Sequence, residues 1–238
     1  DGHISMYDVR TRRVVSVPNM WQLHHGSREN RCRQAGAYTL NYEIDPGDVV
    51  VDVGAYLGQF SLYAAETASK VIAIDPYASI NDCLQRNVAN SPTITVYPVA
   101  AWNRDEPLSI QLSHYPSDTS LLEPDILPTG KEVEVPGRTI SSICAEAGVD
   151  SIDVLKIEAE GVEPEVLEGA PDAKKIIVNC GPERRGEKPT ETVVKMLEQR
   201  GYDVQVIQTD EAFAPNYGES PGLSDIEMVL AEYDQQSD

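Results

Sequence analysis

Two groups of residues in this 238-residue chain have the types and spacing to do chemistry. The first is Val49-Val50-Val51-Asp52-Val53-Gly54-Ala55-Tyr56-Leu57-Gly58, an apolar strand ending at an acid and then a glycine turn, followed by the amphipathic run Gln59 to Ala65. A strand feeding such a turn and a helix N-terminus lets backbone N–H groups approach a polar ligand closely. A second apolar strand, Val71 to Ile74, runs into Asp75, 23 residues after Asp52. A carboxylate at that place suits a ribose diol, which needs an acceptor for two hydroxyl donors. The second group is Lys156, Glu158 and Glu160. A strand running from Asp153 to Glu160 would put all three on one face, because alternate side chains point the same way. Charged residues are seldom buried unless paired, and ligands of open α/β sheets bind beyond the strands' carboxyl ends. The row therefore reads as a site. The plainer alternative is a Lys156–Glu158 ion pair with Glu160 capping the next turn.

Gly54 and Gly58 are four residues apart, so the turn is not G-x-G-x-x-G, and no Lys or Ser/Thr follows in P-loop order. A site without a phosphate cradle, but with an acid before the turn, fits S-adenosylmethionine better than NAD. No metal cluster is evident from the spacing, although Glu158 and Glu160 could hold Mg²⁺.

The elements that must position these groups alternate. Beyond Asp75 the pattern predicts a helix over 79–90, a strand over 93–97, a hairpin-like strand over 108–112 and a strand near 133–135. Residues 114–131 carry Pro, Ser, Asp and Gly at loop density and read as a flexible lid over the site. Helices over 139–147, 164–170 and 190–200 then alternate with strands over 153–160, 175–179, 204–208 and 226–231. Such alternation predicts an α/β fold with a mostly parallel sheet, helices on both faces and a C-terminal antiparallel hairpin.

Length suits one α/β domain with an extension. No apolar run approaches the roughly 18 residues of a membrane span. The start, Asp1-Gly2-His3, has neither a signal-peptide pattern nor an initiating Met, so residues are expected to precede it. Cys32, Cys83, Cys144 and Cys180 are 51, 61 and 36 residues apart, unlike a zinc or disulfide framework, which points to a reducing, cytoplasmic compartment. Net charge is −20, from 39 acids and 19 bases. That surface suits a salt-loving host and argues against a nucleic-acid partner. The charge is uneven. Residues 1–36 hold Arg10, Arg12, Arg13, Arg28, Arg31 and Arg33 against three acids, whereas the chain from Gly201 onward has nine acids and no base. An Arg-rich extension over 1–36 could hold an anionic substrate near the site of a domain spanning 37–238. It could equally be an arm pairing with the protein's own acids.

The blocks Asp52 to Leu62 and Asp153-Val154-Leu155-Lys156-Ile157-Glu158-Ala159-Glu160-Gly161 through Ala170 resemble the FkbM-type S-adenosylmethionine-dependent methyltransferases. In that family they read approximately D-V-G-A-N-x-G-x-x-S and K-I-D-x-E-G-x-E-x-x-V-L-x-G-A. Ala100-Ala101-Trp102-Asn103 is similar to its A-V-x-D element. The resemblance implies a Rossmann-like class I methyltransferase sheet. It implies that Asp52, Gly54, Ala55, Tyr56 and Gly58 line the methionine part of the cofactor. Asp75, with Pro76 beside it, would take the ribose, and Ala100, Ala101 and Trp102 would lie near the adenine. Tyr56 stands where the family has Asn, Glu158 replaces the Asp of K-I-D, and Asn179 ends a strand that often ends in Glu.

The resulting expectation is O-methylation of a hydroxyl on a sugar, glycan or similar small metabolite. Glu158 is the first choice as base, with Lys156 holding its charge or the developing alkoxide and Glu160 second. His24, His25 and His114 are rivals. Alternatives are methyl-ester formation on an acidic sugar, a nicotinamide oxidoreductase, or an inactive cofactor-binding module.

Overall fold

Runs of Val and Ile without polar alternation give strands buried on both faces, and these dominate the molecule. The computed structural model describes residues 4–8, 13–18, 43–114, 116–124, 127–208 and 226–233. A hairpin of β1 (Ile4–Asp8) and β2 (Arg13–Val17) comes first. Then follow β3 (Val49–Val53), α1 (Gln59–Ala64), β4 (Lys70–Ile74), α2 (Ala78–Val88), β5 (Ile94–Tyr97) and β6 (Ala100–Ala101). The chain continues through β7 (Glu106–Ser113), β8 (Pro128–Arg138), α3 (Ile140–Ala147), β9 (Ile152–Ile157) and α4 (Glu163–Glu168). It closes with β10 (Ala173–Cys180), α5 (Thr190–Gln199), β11 (Tyr202–Gln208) and β12 (Glu227–Tyr233).

The main sheet runs β11-β12-β10-β9-β3-β4-β5. Strands β5, β4, β3, β9 and β10 are mutually parallel, and β12 is antiparallel to both β10 and β11. The period of two decides what each face receives. Val51, Val53, Ile72, Ile74, Leu155 and Ile157 pack against α3, α4 and α5. Val50, Val71 and Val154 meet Phe60 and Ala64 of α1, while Ala73 meets Leu84 and Val88 of α2. Helices thus cover both faces of a mostly parallel sheet, and the antiparallel hairpin is β11–β12.

A small second sheet, β6-β8-β7, stands beside β5 in sequence. Strand β8 starts at Pro128, well before the predicted 133–135, because β7 pairs with it from Glu106↔Gly137 down to Ser113↔Pro128. The predicted lid is therefore shorter and partly built: it holds a 3₁₀ turn at Pro116–Asp118 and a bridge between Gln111 and Ser120. Strand β9 also stops early, at Ile157 rather than Glu160.

Hairpin β1–β2 packs on α2 and the glycine turn, with Val15 and Val17 against Leu57, Ile80 and Cys83. Arg10, Arg12, Arg28, Arg31 and Arg33, the side chain of Arg13, Cys32, His24, His25 and the 36/37 boundary lie outside the described residues. Cys83, Cys144 and Cys180 are buried free thiols. No described helix is long and apolar enough to cross a membrane.

Candidate active site

The strand order reverses between β3 and β9, since β4 and β5 continue to one side and β10 to the other. Open α/β sheets leave a crevice at such a point, beyond the carboxyl ends of the strands. A cavity lies there. Gly54, Ala55 and Tyr56 line it after β3, and Asp75, Pro76 and Tyr77 after β4. Ala100 and Ala101 come from β6, and Lys156, Glu158, Ala159 and Glu160 from the end of β9. Residues of the 116–121 segment face it across the opening.

The glycine turn is fixed by its neighbours. Gly54 has φ +69°, and a Cβ there would lie 1.8 Å from the Glu158 carbonyl oxygen, so only glycine lets β3 and the β9 exit meet. The N–H groups of Gly54 and Ala55 both donate to the Ile74 carbonyl at 3.0 Å. Tyr56 is left-handed at φ +51°. Its N–H donates to Asp75 Oδ2 at 3.0 Å, and the Tyr77 N–H donates to Oδ1 at 3.1 Å. Burial pushes the Asp75 carboxyl up to about 7, against the pull of those two N–H groups and Lys156.

The charged row is set by register. Asp52 pairs with Lys156 across β3 and β9, so both side chains emerge on the same face, under α1. Lys156 Nζ lies 3.1 Å from Asp52 Oδ1 and 3.0 Å from Glu158 Oε2, and it donates to the carbonyls of Val53 and Gly54 at 3.1 Å each. Burial pulls the ammonium down, but the two carboxylates outweigh it and the group is raised, so it keeps its proton. Ser61 Oγ donates to Asp52 Oδ2 at 2.6 Å from α1. Glu158, 32% exposed, takes its second contact from the Asn179 amide, which donates to Oε1 at 2.9 Å. A carboxylate clamped by an ammonium and an amide faces the cavity in one orientation. A carboxylate so held can serve as a general base.

Glu160 does not continue the row. It sits at φ +51° in a turn held by Glu163, whose Oε1 accepts the N–H groups of Ala159 and Gly161 at 3.0 Å each. The Glu160 carboxyl is raised well above its usual range by burial and by the nearby carboxylates Glu158, Glu183, Glu163 and Asp118.

The model of the methyltransferase FkbM domain matches residues 52–233. The chain belongs to the FkbM methyltransferase family. It is 30% identical to the 31-O-demethyl-FK506 methyltransferase FkbM of Streptomyces tacrolimicus over 162 residues, 55% of this chain and 62% of that protein. It is 25% identical to methyltransferase sdnD of Sordaria araneosa over 193 residues, 65% of this chain and 73% of that protein. Among solved structures it resembles the methyltransferase FkbM of Methylobacillus flagellatus, with TM-score 0.53 and 16% identity, covering 86% of this chain and 50% of that one. Aeropyrum pernix fibrillarin, solved with bound S-adenosyl-L-methionine, gives TM-score 0.52 and 11% identity over 83% and 74% of the two chains. These two likenesses speak for the fold, a Rossmann-like methyltransferase sheet. The chain spans less than two thirds of the Streptomyces relative and half of the Methylobacillus chain.

Of the residues singled out in the sequence, ten line the cavity: Gly54, Ala55, Tyr56, Asp75, Pro76, Ala100, Ala101, Lys156, Glu158 and Glu160. Three do not. Asp52 is fully buried behind Lys156. Gly58 caps α1 at φ +85° and faces Leu84 and Val88. Trp102 packs, partly buried, against the core, with its backbone N–H donating to the Arg138 carbonyl at 2.8 Å and its own carbonyl lying against Gly169. His114 is exposed, off the lining. Sequence reasoning passed over Ser61, Tyr77 and Ile80. It read Asn179 only as a departure and gave Glu163 no role. An acid opening a helix is the signal that marks Glu163. Nothing local marks the others.

Proposed function

We propose that this FkbM methyltransferase moves a methyl group from S-adenosyl-L-methionine to a hydroxyl of a sugar, glycan or similar small metabolite. The cavity's chemistry fits that donor. Gly54, Ala55 and Tyr56 would hold the methionine end, Asp75 and Pro76 the ribose, and Ala100, Ala101 and Ile80 the adenine. The bound donor supplies an electrophilic methyl carbon on a sulfonium. The chain's part is to hold the acceptor oxygen in line and to take its proton. Alignment is worth up to about 7–11 kcal/mol, and a placed base about 10²–10⁴-fold.

The observation that carries the reading is Glu158, clamped by Lys156 and Asn179 at the cavity wall. Lys156 holds the charge of Glu158 rather than that of an alkoxide, because Asp52 and two carbonyls already surround its ammonium. The same engagement leaves it poorly placed to bind a carboxylate acceptor. Labelled methyl donor incubated with a host extract identifies the fraction that takes the label. With that acceptor, Glu158→Gln is expected to lower kcat by about 10²–10⁴-fold while donor affinity holds. A carboxylate acceptor needs no base, so an unimpaired Glu158→Gln enzyme would overturn the hydroxyl reading. Tight S-adenosylhomocysteine binding without turnover on any fraction would mark an inactive binding module.

A further inference from the structure

Outside the cavity, one side chain joins three elements. Asn87, in the last turn of α2, accepts the Ser16 N–H of β2 on Oδ1 at 2.6 Å. Its Nδ2 donates to the Ser16 carbonyl at 3.1 Å and to the Leu57 carbonyl at 3.0 Å. A primary amide has two N–H donors, and both are used. Leu57 lies between Tyr56 at φ +51° and Gly58 at φ +85°, so its carbonyl belongs to the most strained stretch of the glycine turn. A left-handed tyrosine persists only where its surroundings over-determine it. The apolar contacts run the same way: Val15 and Val17 of the hairpin pack on Leu57 and Ile80, with Tyr56 and Tyr77 alongside. Tyr56, Tyr77 and Ile80 line the cavity.

We infer that Asn87 is a positioning residue for donor binding, holding the Tyr56–Gly58 turn through its bond to the Leu57 carbonyl. The inference rests on the proposal that the donor lies over this turn.

A purely structural staple would lose stability and nothing else, so the variants must separate the two bonds. Asn87→Asp keeps the acceptor for the Ser16 N–H and loses both donors, including the one to Leu57. Val17→Ala loosens the hairpin without touching the turn's hydrogen bonds. Binding of S-adenosylhomocysteine by calorimetry, with donor KM and kcat where the acceptor is known, reads the outcome. Asn87→Asp and Asn87→Ala are expected to weaken binding about tenfold, the worth of one hydrogen bond, with kcat at saturating donor within about twofold. Val17→Ala is expected to lower Tm but leave binding within about twofold. Faster hydrogen exchange at the 57–59 amides should accompany only the Asn87 variants. If the wild-type protein fails to bind S-adenosylhomocysteine, the donor-site reading falls. If it binds and the folded Asn87 variants bind equally well, the clamp falls alone. Should both Asn87 variants fail to fold, a tenfold binding loss in Val17→Ala would equally overturn it, since the turn's own bond is then intact.

Discussion

Donor binding should release a proton from Asp75. Its carboxyl is 8% exposed, and burial holds it near pH 7 despite the N–H groups of Tyr56 and Tyr77 and the nearby Lys156, with Asp52 adding to the upward push. Ribose hydroxyls are donors, and donors favour the charged carboxylate, so the ionised form binds better. With a midpoint near 7, roughly a tenth of the sites are ionised at pH 6 and nine tenths at pH 8. Affinity should therefore rise about tenfold between pH 6 and 8, or ~1.4 kcal/mol. Calorimetric titration of S-adenosylhomocysteine in two buffers of different ionisation heat measures both the affinity and the protons released. Close to one proton should leave at pH 6 and almost none at pH 8. Asp75→Asn should flatten both dependences. The sign for the empty protein is opposite. A carboxyl raised in the folded state keeps a proton that the unfolded chain has lost, so its contribution to stability falls as pH climbs from about 4 to 7. Flat affinity without proton release would refute the assignment of Asp75 to the ribose.

Three further outcomes follow from the same geometry. Lys156→Met removes the ammonium beside the fully buried Asp52, and stranding a buried charge should cost about 3–5 kcal/mol in urea unfolding; adding Asp52→Asn should recover much of it, and a loss under about 1 kcal/mol would refute the pairing. Gly54→Ala places a methyl 1.8 Å from the Glu158 carbonyl oxygen at φ +69°, so it should push the β3 and β9 exits apart and abolish S-adenosylhomocysteine binding, with about 1–3 kcal/mol of strain in the unfolding curve. With a net charge of −20, the folded fraction should fall in dilute buffer and recover as KCl shortens the screening length to about 10 Å near 0.1 M; full stability without salt would refute the salt-loving reading.

The parts of the site visible in the sequence are those carried by covalent neighbours. A Val-rich strand, an acid and a glycine four residues from the next are local facts, and they located Gly54 and Asp75 at the sheet's edge. Lys156 and Glu158 stood out because charge in an apolar strand is costly unless it is used. The rest depends on register and docking, which no local pattern holds. Asp52 faces Lys156 because β3 pairs with β9, and Asn179 reaches Glu158 because β10 lies on its other side. Ser61 reaches Asp52 only because α1 packs on that face. Trp102 follows Ala100 and Ala101 but has left β6, its backbone N–H donates to the Arg138 carbonyl at the end of β8, and its partly buried ring packs against the main core instead. Glu160 was assigned to the row by a period of two that stops at Ile157, where Glu163 gathers the backbone into a turn.

That turn divides the labour between two neighbouring carboxyls. Glu158 is met by an ammonium and an amide, both donors that a carboxylate accepts. Glu160 is half-buried, and burial and the surrounding carboxylates raise it well above its ordinary value, where Glu158 faces donors. Adjacent carboxyls in opposed environments take different roles. In the proposed transfer to a hydroxyl, a carboxylate with both oxygens already bonded would be a modest base, and its worth would lie in its orientation. As the acceptor oxygen gains the methyl carbon its own proton becomes strongly acidic, and a correctly oriented modest base takes it downhill. Orientation is therefore the quantity worth fixing. Lys156 and Asn179 fix it from two strands, and Asp52 and Ser61 hold Lys156 from beneath.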